Sequence, residues 1–215
     1  MKISRGFTII ELLIATSVFG LLLTIALAGF TGVGNIFYKG VAITQTQSST
    51  SQLLRDVSSN IQTASAVSTP VNTNPGTGKG YWYFCAGGVR YSYILQQEID
   101  GSQDENLALS SPNMALVKDV LPSSSGCGAP CVSGCTTPFN NPQEMLTGRM
   151  RLMDFRIEGG GNQLYNVYVT VAYGDDDNFN NVGDPNTIEC KGGLSQQKFC
   201  AVNRLSTSVY QGLHS

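Results

Sequence analysis

The chain has 215 residues, 41 % of them hydrophobic and only 13 % charged, with 24 glycines and 6 cysteines. Its 13 basic and 15 acidic side chains leave a net charge of −2, without the basic footprint of a nucleic-acid binder. The single histidine, His214, is next to last, and no phosphate-cradling glycine loop is present, so composition and motifs point away from an enzyme.

The first stretch is Met1-Lys2-Ile3-Ser4-Arg5-Gly6 followed by Phe7-Thr8-Ile9-Ile10-Glu11-Leu12-Leu13-Ile14-Ala15, a short basic leader and then a long apolar run. Glu11 is the only charged side chain between positions 7 and 38, a window long and apolar enough to span a bilayer as a helix. A carboxylate inside such a segment costs about 2.5–3.5 kcal/mol on insertion scales, so it marks a function and wants a partner. Lys2 and Arg5 place the leader on the cytoplasmic side and everything after the span outside. A secretory signal peptide is the rival reading, but its cut would fall after the apolar run, near Ala26-Leu27-Ala28, and would leave Glu11 unexplained.

Gly6-Phe7-Thr8-Ile9-Ile10-Glu11 resembles the processing motif of type IV pilins and of the pseudopilins of type II secretion. The resemblance implies that a prepilin peptidase cuts between Gly6 and Phe7 and N-methylates Phe7. It further implies that Glu11 pairs with the terminal amine of Phe7 on an adjacent subunit, so that two charges offset each other in lipid. Partners implied in the same way are other pilins or pseudopilins, the peptidase and an inner-membrane assembly platform. Loss of the leader would shift the side-chain balance from −2 to −4.

Four segments are expected: the leader at 1–6, a transmembrane helix half at 7–38, an amphipathic half at 39–69, and an exported, β-rich domain at 70–215. One long helix would run to about Val67, roughly 90 Å at 1.5 Å per residue. In its second half Leu53, Leu54, Val57, Ile61 and Ala64 recur in steps of three and four, which predicts a buried face. Residues 45–52 are almost all Thr, Ser and Gln and read as a solvated or subunit-facing stretch. Gly29, Gly32 and Gly34 allow bending or close helix packing; the proline that many pilins carry near Ala28 is absent.

Beyond Pro70 the text turns to strands. Residues 80–85 and 89–95 flank Ala86-Gly87-Gly88 and read as a hairpin, its aromatics more suited to cross-strand core pairs than to a ligand platform. Residues 114–121 give a further short strand. Arg149 to Glu158 and Gln163 to Tyr173 flank a triple glycine, and the phase change between Leu152 and Phe155 predicts a bulge near Met153-Asp154. Residues 205–210 read as a last strand. The fold class is α+β, a long N-terminal helix packed on an antiparallel sheet, which is also what the resemblance implies.

Six cysteines in an exported chain read as disulfides. Cys190 and Cys200 close a short loop and are the expected pair, as in the C-terminal loop of many pilins; Cys85, Cys127, Cys131 and Cys135 supply two more bonds of open pairing. Glycines and a proline between Cys127 and Cys135 argue for a loop rather than a helical zinc site. The run from Tyr173 to Asp184 gathers Asp175, Asp177 and Asp184 and reads either as a solvated turn or as a calcium loop like that of some pseudopilins, without the EF-hand pattern.

Two functions compete. One is a structural subunit, a minor pilin or minor pseudopilin similar to the J- or W-type, held in the cytoplasmic membrane and then assembled into an extracellular filament. The other is a membrane-tethered, calcium-dependent binding or adhesion protein that does not assemble.

Overall fold

A computed structural model describes residues 8–73, 81–97, 115–122, 126–130, 139–181, 183–184, 186–191 and 199–212. Helix α1, Ile9–Thr63, is continuous for 55 residues. It ends four residues short of the expected Val67 because the next residues bond to a sheet instead. Ala64 is already extended, Gly87 N–H donates to Ala66 O at 2.9 Å, and Ser68 N–H donates to Cys85 O at 2.9 Å.

Ten strands follow among the described residues: β1 Val71–Asn72, β2 Trp82–Ala86, β3 Val89–Tyr93, β4 Leu116–Val120, β5 Gln143–Glu144, β6 Met150–Gly159, β7 Leu164–Tyr173, β8 Phe179–Asn180, β9 Glu189–Cys190 and β10 Ala201–Tyr210. They form a five-stranded sheet in the order β1-β2-β3-β4-β5, a three-stranded sheet β10-β7-β6, and a two-stranded ribbon β8-β9. Every pairing among them is antiparallel. The chain has the α+β architecture of a long N-terminal helix carrying antiparallel sheets.

The helix meets the sheets through one stripe. Leu53, Val57, Ile61 and Ala64 are buried as their spacing predicts, and the stripe continues upward through Ala42, Thr46 and Thr50. The polar stretch at 45–52 is therefore not wholly solvated. Thr46 and Thr50 are fully buried because their hydroxyls are satisfied inside the helix, donating to Ala42 O at 2.7 Å and Thr46 O at 2.6 Å. Strand β10 runs alongside in the same direction, from Phe199, whose ring lies 5.6 Å from that of Tyr38, to Gly212, whose N–H donates to Gln62 O at 3.0 Å. A Cβ on Gly212 would stand 2.7 Å from that oxygen, so only glycine lets strand and helix close there.

The β2–β3 hairpin turns on Gly87 and Gly88 as expected, with Gly87 at φ +61° packed on Ala64. Its aromatics are core pairs: Phe84 stacks on its cross-strand partner Tyr91 at 4.8 Å and on Phe155 at 5.1 Å. The row Phe84–Tyr91–Lys118 faces α1, where Asp56 accepts from Tyr91 Oη and from Lys118 Nζ, each at 2.6 Å. Burial, and then the bond to Asp56, pushes the Tyr91 phenol well above its ordinary range.

The bulge falls where the phase change puts it, between Leu152 and Asp154. It returns Phe155 and Ile157 to the face already held by Met150 and Leu152, so all four join the main core, while Met153 enters a second core with Ala172, Phe179, Ile188 and Cys200. Phe155 is 3 % exposed at the junction of the two sheets. Phe155→Ala is expected to cost about 3–5 kcal/mol, read as a lower denaturation midpoint of the full chain in detergent.

Candidate functional site

The part of α1 that no sheet covers is its first half. Ile9, Ile10, Leu12, Leu13 and Ile14 are exposed in near succession, and Phe30, Val33, Ile36 and Phe37 continue the pattern, Ile9 and Phe30 at 82 %. Consecutive apolar residues point in all directions around a helix, so this half has no polar face to offer water. By length and composition α1 can cross a membrane.

Glu11 lies in the first turn of this helix. Thr8 is the N-cap: its hydroxyl accepts from Glu11 N–H at 3.3 Å and donates to Glu11 Oε2 at 3.4 Å. The Thr-x-x-Glu spacing before an apolar run is the signature of a capping box, and the role of Thr8 was readable from it. An acidic side chain in the first turn also meets the positive end of the helix dipole, which offsets part of the cost of placing a carboxylate in an apolar segment. Gly6 and Phe7, the expected cut and methylation site, lie outside the described residues.

A family model described as the prokaryotic N-terminal methylation motif matches residues 1–27. The match supports a type IV pilin-like, prepilin-processed protein. It covers Gly6, Phe7, Thr8 and Glu11 together with the start of the exposed apolar helix, and together with that helix it is consistent with membrane anchoring. No curated protein and no solved structure matches the chain.

The cysteines are settled where they are described. Cys190 and Cys200 are bonded, with Cα atoms 5.8 Å apart, and Cys85 takes Cys127 at 5.9 Å. Cys131 and Cys135 lie outside the described residues. The Cys85 bond belongs to a row, Cys85–Arg90–Asp119, on the face of the five-stranded sheet that points away from α1. Arg90 Nε and Nη2 donate to the two Asp119 carboxylate oxygens at 3.0 and 2.6 Å, and both side chains are fully buried. Arg90 Nη1 donates to Gly128 O at 3.0 Å and Tyr81 Oη donates to Pro130 O at 2.7 Å, so this row holds the segment 126–130 against the sheet.

The acidic run does not gather its carboxylates. Asp175 accepts from Arg149 Nη2 at 2.7 Å, and Asp176, in a 3-10 turn at Asp176–Asn178, pairs with Arg151. Asp177 is exposed in the same turn. Asp184 accepts from Asn186 N–H and from Thr187 Oγ1, each at 2.9 Å, and those bonds, the one from Asn186 first, hold its carboxyl below the usual range. Among the described residues no three His, Cys, Asp or Glu side chains converge as a cation site. Of the candidates for the calcium-loop alternative to a solvated turn, Asp175 is held by an arginine, Asp177 is exposed and Asp184 caps a turn. His214 lies outside the described residues.

Proposed function

We propose that the chain is a minor pilin or minor pseudopilin, of the J- or W-type, and a structural subunit of a type IV pilus or a type II secretion-like filament. The observation that carries the reading is the change in α1. Its first half exposes apolar side chains all round under a methylation motif, whereas its second half is the spine of a β domain with a single buried stripe. Ile9 to Phe37 rises roughly 40 Å at 1.5 Å per residue, more than the ~30 Å hydrocarbon core, so the surplus is suited to packing against neighbouring helices.

In this reading prepilin peptidase cuts between Gly6 and Phe7 and methylates Phe7. The subunit waits in the cytoplasmic membrane with the β domain outside, and an assembly platform draws it into the filament. The terminal amine of Phe7 on one subunit then pairs with Glu11 on the next, a pairing that sets register and carries out no catalysis. Thr8 holds the carboxylate until that amine arrives.

Mass spectrometry of the protein purified from its own membrane is the test. The expected N-terminal peptide starts at N-methylphenylalanine. An intact leader, or a cut near Ala26-Leu27-Ala28, would overturn the reading.

A further inference from the structure

Met150, Tyr173 and Ala201 pair across the three-stranded sheet and form the row in which β10 begins. Strand β10 runs beside α1 in the helix's own direction, and the Phe199 ring just before it lies against Tyr38, so this row marks the end of the domain nearest the apolar half of α1. It is the base of the β domain.

Rings and an arginine gather there. Phe199 is drawn in beside the end of β7: a Cβ on Gly174 would stand 2.5 Å from Phe199 O, so only glycine admits the approach. The Phe199 ring lies 5.6 Å from that of Tyr38, which meets Phe37 edge-on at 6.1 Å. The Arg149 guanidinium carbon stands 5.8 Å from the centre of the Phe199 ring and 5.9 Å from that of Tyr173. Phe37 and Tyr38 are exposed and Arg149 is partly exposed. Side chains with an apolar body and a polar tip are the ones enriched where a bilayer meets water. Asp175 and Asp176 at the same end pair with Arg149 and Arg151, while Asp177 is exposed, so what the base offers a membrane is its rings rather than a net charge.

The helix is longer than the span it has to cross. Ile9 to Phe37 rises roughly 40 Å, about 10 Å more than a hydrocarbon core. Before assembly no neighbouring helix covers the surplus, and α1 runs from Ile9 to Thr63 without a break, so tilt rather than a kink takes it up. Tilt toward β10 brings the base down to the headgroups and sets its rings at the depth they favour.

We propose that, before assembly, the base of the β domain rests on the phospholipid headgroups of the leaflet on its own side of the membrane, through Tyr38, Phe199, Tyr173 and Arg149. The contact depends on the membrane-anchored reading of α1 and adds to it a lipid-facing surface on the β domain.

The test reconstitutes the full-length protein in phosphatidylcholine vesicles whose acyl chains carry bromine either close to the headgroup or deep in the bilayer, and reads tryptophan quenching. Trp82→Phe provides the background, and single tryptophans are placed by Phe199→Trp at the base, Tyr38→Trp beside it on α1, Phe19→Trp within the apolar half, and Tyr210→Trp at the far end of β10. Shallow bromines are expected to quench the probes at 199 and 38 several-fold more than the probe at 210, deep bromines to quench the probe at 19, and raised salt to leave the pattern unchanged. The Tyr38 site serves as a second probe should Phe199→Trp disturb the fold. Quenching at 19 with none at 199 and 38 would overturn the contact and leave the anchored reading standing. Equal quenching at 199 and 210 would overturn the assignment to the base. Absence of quenching at 19 would overturn the anchored reading, and the contact with it.

Discussion

Glu11→Val is expected to leave membrane insertion intact and to cut the fraction of the protein recovered in filaments on the order of a hundredfold. The two effects have opposite signs for one reason. Valine removes a carboxylate whose cost in hydrocarbon is about 2.5–3.5 kcal/mol, so the unassembled subunit sits in lipid at least as well as before. Under the proposed pairing, the same substitution strands the Phe7 amine of the neighbouring subunit in lipid, and a penalty of similar size corresponds to that change in incorporation. Loss of the Thr8–Glu11 contact at the helix start adds about 0.3–1 kcal/mol of local fraying and decides nothing. Glu11→Asp, which keeps the charge on a shorter arm, should fall between. The measurement is the ratio of sheared filament to membrane pool; an unchanged ratio for Glu11→Val would sink the pairing role while leaving processing at Gly6 untouched.

Asp119→Ala is expected to destabilise the β domain by about 3–5 kcal/mol, a large part of the 5–15 kcal/mol typical of folded domains. Asp119 is the partner of Arg90 through two bonds, and both side chains are fully buried, so the alanine leaves a guanidinium in a dry sheet face. The Gly128 carbonyl and the Phe139 ring, 5.4 Å from the guanidinium carbon, retain some of the Arg90 contacts and do not replace a counter-charge. Replacing both members, Arg90→Met with Asp119→Leu, should be neutral or stabilising by about 1–4 kcal/mol, because the desolvation cost of both charges disappears with the pair. Thermal unfolding of the full chain, without reductant so that the Cys85–Cys127 bond persists, separates these cases. At roughly 2–4 °C per kcal/mol for a domain of this size, the single variant loses several degrees or more and the double variant does not.

The elements legible in the sequence share a local cause. Helix α1 follows from an uninterrupted apolar run and a Thr8-x-x-Glu11 cap, both contained within one or two turns. The Gly87-Gly88 turn and the aromatic pairs around it follow from a two-residue loop that admits positive φ. The bulge at Met153 could be placed because a strand has a period of two, and a change of phase between Leu152 and Phe155 has no other local explanation. Residues 45–52 were read too simply. Composition averages over a helix, whereas burial acts on one face, and Thr46 and Thr50 fall on the face that continues Leu53 and Val57. The first four residues of β10 were missed because Ala201, Val202, Asn203 and Arg204 carry little strand signal of their own; their order comes from pairing with β7 from Thr170 to Tyr173.

By itself the sequence determined a methylation motif, a helix able to cross a membrane with one carboxylate in its first turn, and a β domain of paired strands. Each is written in neighbours along the chain. The tertiary structure alone decided that Cys85 takes Cys127, that Arg90 and Asp119 neutralise each other 29 positions apart, and that Asp154, Thr170 and Arg204 share one row. Those outcomes depend on which strands pair and in which register, and register is set by the whole core rather than by any stretch that contains the residues concerned.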